Sequence, residues 1–179
     1  MKQQIKKLYK PNTDTFLLID SIRNYFGNSA LEIGTGAGFV SNFLSRNFKK
    51  VIATDIDFQS LIYCKKNINP KINLICCDTT TAINIKFDLI VSNPPYLPND
   101  SFHDVAIHGG KTGIEKTIHF LESVIPKLKR NGYIVFIVSS LADISKLDNL
   151  LYEKKIQKKI INQKKLFFEM LYVYELSIK

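Results

Sequence analysis

No apolar run in this 179-residue chain approaches the ~20 residues needed to span a bilayer. Cysteine is scarce too: Cys64, Cys76 and Cys77 are the only three. An odd count at that spacing excludes a disulfide framework, so the thiols read as buried. There is no C-x-x-C pair and no Cys/His cluster of the kind that holds zinc. His103, His108 and His119 form no metal set and read as loop or surface residues. The first seven residues, Met1 to Lys7, are basic, but no apolar stretch follows them. They are therefore no signal peptide, and a cytoplasmic protein is expected. Acidic residues are the minority sign, leaving a net charge of +9. That allows an anionic partner such as nucleic acid. AT-biased codons alone also enrich Lys, Ile and Asn together, so the charge is weak support.

What is present centres on residues 88–96. Leu89 to Val91 read as a buried strand that stops at Asn93-Pro94-Pro95-Tyr96. The prolines have no N–H for a sheet ladder and hold the residues before them extended. The result is a stiff elbow carrying one amide side chain, Asn93, and one ring, Tyr96. Such a mount suits a planar –NH₂ group.

Residues 1–11 read as a basic arm. Pro11-Asn12-Thr13-Asp14 opens a helix that Asn12 or Thr13 caps, with Asp14 at its positive end. Its apolar residues run from Phe16 to Phe26, before Gly27. Short strands follow at 30–33, 51–54, 72–77 and 87–92, with helices between them. A long loop spans roughly 97–113 and contains Gly109, Gly110 and Gly113; loops of that length are usually functional. A helix from Ile114 to Leu128, a turn at 129–132, a strand at 133–138 and a further helix come next. Runs at 156–162 and 169–177 suggest a terminal hairpin. This βα alternation predicts one α/β domain over residues 1–179, with a parallel sheet covered on both faces and an antiparallel finish.

In such a sheet ligands bind outside the carboxyl ends of the strands, and four of those ends carry polar signals. Glu32-x-Gly34-x-Gly36-x-Gly38 is a tight loop but not the G-x-G-x-x-G of dinucleotide binders. Its acidic residue repels a pyrophosphate and suits a cationic ligand. Asp55 lies about 20 residues further on, where a carboxylate accepts ribose hydroxyls. It could instead cap the next helix, although Asp57 is better placed for that. Asp78-Thr79 could accept from an adenine amino group or simply form a turn. Asn93 to Tyr96 form the fourth end. Together these describe a pocket for a nucleoside with a cationic, amino-acid-like tail, and S-adenosylmethionine fits.

With these motifs, and with Gly109-Gly110-Lys111-Thr112-Gly113 and Leu128 to Tyr133, the chain resembles the class I methyltransferases. Within them it resembles the HemK-type enzymes that methylate a glutamine amide of peptide-chain release factors. The opening Tyr9 to Leu18 looks like the short archaeal and eukaryotic subfamily. The resemblance implies a Rossmann-like fold, with a seven-stranded mostly parallel sheet whose last strand is antiparallel. It places Thr15 by the cofactor's carboxylate end, Glu32 and Gly34 by its methionine part, with Gly36 and Gly38 completing the loop. Asp55 goes to the ribose, Asp78 and Thr79 to the adenine, and Asn93, Pro94, Pro95 and Tyr96 to the substrate amide. It also implies that the third strand is a sheet edge. Ile72, Leu74, Ile75, Cys76 and Cys77 are very apolar for an edge, so a partner adding a strand there is expected. The resemblance suggests a small zinc-binding activator protein. Adenine N6 and guanine N2 are planar amines too, so a DNA or RNA methyltransferase is the alternative. The Lys154, Lys155, Lys158, Lys159, Lys164 and Lys165 cluster would then grip phosphates rather than form a solvated face. A third reading is a non-catalytic scaffold that binds the cofactor for a partner.

Overall fold

The computed structural model describes residues 11–100 and 107–178. The proposed basic arm lies almost wholly outside these residues, and so does His103. The helices are α1 (Thr13–Ser21), α2 (Phe39–Leu44), α3 (Phe58–Asn67), α4 (Glu115–Val124) and α5 (Ile144–Glu153). The strands are β1 (Gly27–Ile33), β2 (Phe48–Asp55), β3 (Asn73–Cys76), β4 (Phe87–Ser92), β5 (Leu97–Pro98), β6 (His108–Gly110), β7 (Leu128–Ser139), β8 (Ile156–Lys165) and β9 (Met170–Ile178).

Seven of the strands form one sheet in the order β3-β2-β1-β4-β7-β9-β8. Pairing is parallel from β3 to β7. β9 then inserts between β7 and β8, antiparallel to both. Each central strand is buried on both faces, which is why its apolar run is continuous rather than alternating. Along β7, Ile134, Phe136 and Val138 pack with Phe120 and Leu121 of α4 and Leu147 and Leu151 of α5. Val135 and Ile137 point the other way, to Leu17 and Leu18 of α1 and Val40 and Leu44 of α2. Among the described residues no helix is long and apolar enough to cross a membrane.

Several local expectations are corrected. α1 stops at Ser21, so Tyr25 and Phe26 lie beyond it and Phe26 is exposed. The supposed turn at 129–132 belongs to β7. Phe87 pairs with Leu128 and Leu89 with Tyr133, so those four residues bulge out opposite Asp88. Asn131 there has φ 64°, and Lys129 Nζ donates to Asp88 Oδ2 at 3.0 Å. Burial works against ionisation of Asp88, but hydrogen bonds from Lys129 and Ser29 prevail and hold its pKa below the usual value. Only Cys64 is a buried thiol; Cys76 is exposed and Cys77 half-buried, because β3 is an edge strand. His108 is buried rather than on the surface, since β6 packs beneath the elbow. The lysines at 158, 159, 164 and 165 lie on β8, the opposite edge. There Lys158 pairs with Asp148 and covers the Tyr174 ring.

The long loop folds back on the elbow. β5 pairs with β6, Leu97 N–H donates to Ile107 O at 3.0 Å, and Asn99 N–H donates to Gly110 O at 2.9 Å. The approach is closest at Gly109, where a Cβ would stand 2.5 Å from Pro95 O and 2.3 Å from Gly113 O. Both neighbours are backbone and cannot swing away. Gly109→Ala should therefore cost about 1–3 kcal/mol, read as a lower urea midpoint. An unchanged midpoint would mean that the loop does not buttress the elbow.

Candidate active site

The carboxyl ends of β1, β2 and β4 open into one cavity of about 460 Å³. Thr15, Glu32, Gly34, Gly36, Asp55, Asp78, Thr79 and Asn93 to Tyr96 all line it. Of the residues assigned from the sequence to cofactor or substrate, only Gly38 is outside the lining. Its φ of 80° starts α2, and a Cβ there would stand 2.8 Å from Ile68 and 2.9 Å from the Cys64 sulfur. Gly38 thus lets the loop pack on α3. Gly34, with φ 72°, has nothing within 4 Å of where a Cβ would lie, so open space approaches its backbone.

Glu32 is 4 % exposed. Its Oε2 accepts from Ser41 N–H at 2.8 Å, from Thr35 Oγ1 at 2.7 Å and from the Ser41 hydroxyl. Burial pushes its pKa up to about 7, against the pull of the Ser41 and Thr35 hydrogen bonds, and the nearby Asp55 charge adds to the rise. A cation in the cavity would lower it again.

Asp55 fixes the glycine loop: Oδ2 accepts from Gly36 N–H and Oδ1 from Asp57 N–H, both at 2.8 Å. Asp57, not Asp55, caps α3. Further round, Asp78 meets His119 Nε2 at 3.1 Å. The sequence reading missed His119, which reaches the cavity from α4. Its partner is 41 positions away, so nothing local could have signalled it. Thr79 has φ 47°, and its buried hydroxyl has no partner among the described residues.

At the elbow, Asn93 Nδ2 donates to Asp14 Oδ2 at 2.9 Å, and the Tyr96 hydroxyl donates to the same oxygen at 3.2 Å. Asn93 Oδ1 is buried and has no partner among the described residues. An orphaned acceptor costs about 1–3 kcal/mol, which marks it as a group kept for something that binds. No backbone N–H among the described residues donates to the Pro94 carbonyl. Two oxygens beside a planar ring can take both hydrogens of an –NH₂ group. Asp14 was read from sequence as a helix-end charge. Asn12 already provides the cap, and that surplus was the available clue.

The Glu32 pKa of about 7 lies above the ordinary 4.5. The folded state therefore holds this proton more tightly than the unfolded chain. The resulting stability is full below pH 4.5 and is lost as pH rises through 7, by up to about 3 kcal/mol. Glu32→Gln should flatten the fall in Tm between pH 5 and pH 8. An identical fall in both proteins would show that Glu32 is not responsible.

The family model described as methyltransferase small domain matches residues 10–167. A candidate protein N5-glutamine methyltransferase of Methanocaldococcus jannaschii is 30 % identical over 177 residues, covering 93 % of this chain and 90 % of that one. The release factor glutamine methyltransferase of Streptococcus pneumoniae is 34 % identical over 105 residues. That match covers 55 % of this chain and only 38 % of the streptococcal enzyme. Among solved structures, the E. cuniculi Mtq2–Trm112 complex, responsible for methylation of the eRF1 termination factor, matches with TM-score 0.79 and 24 % identity. It covers 96 % of this chain and 98 % of the matched chain, which supports the fold. The cavity at the carboxyl ends of β1, β2 and β4 is thus found on the chain of a methyl-transferring enzyme that uses S-adenosylmethionine, and the chain belongs to the methyltransferase small domain family.

Proposed function

We propose that this chain methylates the side-chain amide nitrogen of a glutamine in a peptide-chain release factor. The observation that carries this reading is the buried, unpartnered Asn93 Oδ1 at the cavity wall. The names of the archaeal and streptococcal relatives support glutamine as acceptor. We also take residues 1–179 to act as one domain.

S-adenosylmethionine, when bound, supplies a methyl group already activated on a sulfonium. The residues present suit it. Glu32 would hold its ammonium, and the space over Gly34 would take the methionine chain. Asp55 would face the ribose, and Asp78 and Thr79 the adenine. Gly36 shapes the loop, and Thr15 stands at the amino end of α1, where a carboxylate is favoured.

An amide nitrogen is a poor nucleophile because its lone pair is delocalised into the carbonyl. Asn93 Oδ1 and Pro94 O would accept its two N–H bonds and aim the remaining face at the methyl group. As the new N–C bond forms and the bond from the methyl group to sulfur breaks, positive charge grows on nitrogen, and those two oxygens would stabilise it. The surplus N–H proton would then pass to solvent water, because the two carbonyl oxygens are too weakly basic to keep it. Pro94 and Pro95 keep the acceptors in place, and Tyr96 lies against the amide plane. Positioning then accounts for much of the rate.

A small zinc-binding activator protein is proposed at β3. Ile56 and Phe58, which follow β2 next to that edge strand, are 72 % and 60 % exposed, and a partner that adds a strand to β3 would sit near them. The opposite edge carries lysines that discourage such pairing. The neighbouring fold was solved as a complex with a second protein.

Labelled S-adenosylmethionine offered with release factor, DNA and RNA side by side should label only the release factor. Mass spectrometry should place the methyl on a glutamine side-chain nitrogen. Label on nucleic acid alone would move the acceptor to a nucleobase. Asn93→Ala should lower kcat about 10²-fold, and a near-normal rate would remove Asn93 from the mechanism. Co-expression with the activator should raise activity and solubility. An isolated chain that is soluble, monomeric and fully active would exclude an obligatory partner.

A further inference from the structure

Asp14 does something at the elbow that the methyl-transfer reading does not itself require. It is 6 % exposed and stands on the first turn of α1. Its two oxygens serve different groups. Oδ1 accepts from Thr15 N–H at 2.6 Å, and Oδ2 accepts from Asn93 Nδ2 at 2.9 Å and from the Tyr96 hydroxyl at 3.2 Å.

A primary amide can turn over and exchange its oxygen for its nitrogen with almost no change in shape. The exchange matters here, because Nδ2 turned towards a substrate –NH₂ would set donor against donor. An ionised carboxylate has only acceptors. The end of Asn93 that faces Asp14 must then be Nδ2, and Oδ1 is the end left for the substrate.

We propose that Asp14 is a positioning residue, which sets the orientation of the Asn93 amide and, through the Tyr96 hydroxyl, the plane of the ring beside it. The inference rests on the elbow being the seat of an acceptor –NH₂. It explains why a carboxylate is needed and an amide would not do. An asparagine at 14 has one oxygen, and Thr15 N–H claims it. Its –NH₂ would then face Asn93, which would turn its oxygen to meet it and present Nδ2 to the substrate.

The same logic gives a swap. In Asp14→Asn with Asn93→Asp, the new –NH₂ at 14 donates to one carboxylate oxygen at 93, and the other oxygen remains an acceptor for the substrate. Asn93→Asp alone sets two carboxylates against each other.

The test measures kcat, KM and S-adenosylmethionine affinity on release factor for wild type, both single variants and the double variant. Asp14→Asn should lower kcat about 10²-fold, with KM and cofactor affinity nearly unchanged. The double variant should recover at least about tenfold over either single variant. A merely structural Asp14 would not yield recovery from a second change at 93. Near-normal kcat in Asp14→Asn, a loss confined to KM, or no recovery in the swap would each overturn the proposal. Should a variant not fold, the wild-type Asn93 side-chain amide still reports by NMR, assigned by its absence in Asn93→Ala. One of its protons should exchange slowly with solvent. Exchange at the rate of a free asparagine would overturn the proposal. That signal does not depend on the substrate. If wild type methylates no glutamine while the slow proton persists, the acceptor reading fails and the Asp14 contact stands.

Discussion

A carboxylate held inside a protein without a cation must be stabilised by dipoles instead, and Glu32 is the constraint from which one wall of the cavity follows. Its three donors come from Thr35 and Ser41, so the glycine loop and the first turn of α2 curl around a single oxygen. Asp55 repeats the device one strand over, holding Gly36 and Asp57 by their backbone amides. Two acidic side chains on neighbouring strands thus set the shape of a loop that has few bonds of its own. Their charges also make the wall receptive to a cationic ligand and hostile to a phosphate. Shape and selectivity arise here from the same groups.

The opposite wall is built by steric exclusion. Prolines end β4, and the loop after it is pressed against the Pro95 carbonyl at Gly109 and the Tyr96 carbonyl at Gly113. The elbow is braced from behind, while its polar atoms face the cavity and Asp14. Such bracing suits a reaction in which the methyl donor is already reactive and alignment is the main task.

Most of this was legible in the residues. Continuous apolar strands, the glycine loop and the Pro-Pro stop each obey a local rule, and together they imply the sheet and its carboxyl-end cavity. Boundaries were less legible where two rules competed. Arg130, Asn131 and Gly132 have turn chemistry, yet pairing with β4 on both sides keeps them in β7 as a bulge. Phe16 and Phe26 fit an apolar helix face, but both are exposed, Phe16 on the outer side of α1 and Phe26 beyond its end. The site contributions of Asp14 and His119 were illegible for a simpler reason. Each acts across a long stretch of chain, Asp14 on Asn93 and His119 on Asp78, and no local pattern records such a meeting.

The place of β9 also constrains how the molecule comes into being. β8 precedes β9 in the chain, yet it reaches the sheet only through β9, which fills the space beside β7. Leu17 and Leu18 of α1 pack in the same cluster as Leu171 and Val173 of β9, and Asn162 of β8 bonds Ser21 of α1. The helix that delivers Asp14 thus packs on α2 and β7 and also on strands that lie far later in the sequence. Its seat is complete only when the β8–β9 hairpin has joined the sheet, so loss of β9 would loosen the support of a site residue encoded a long way upstream.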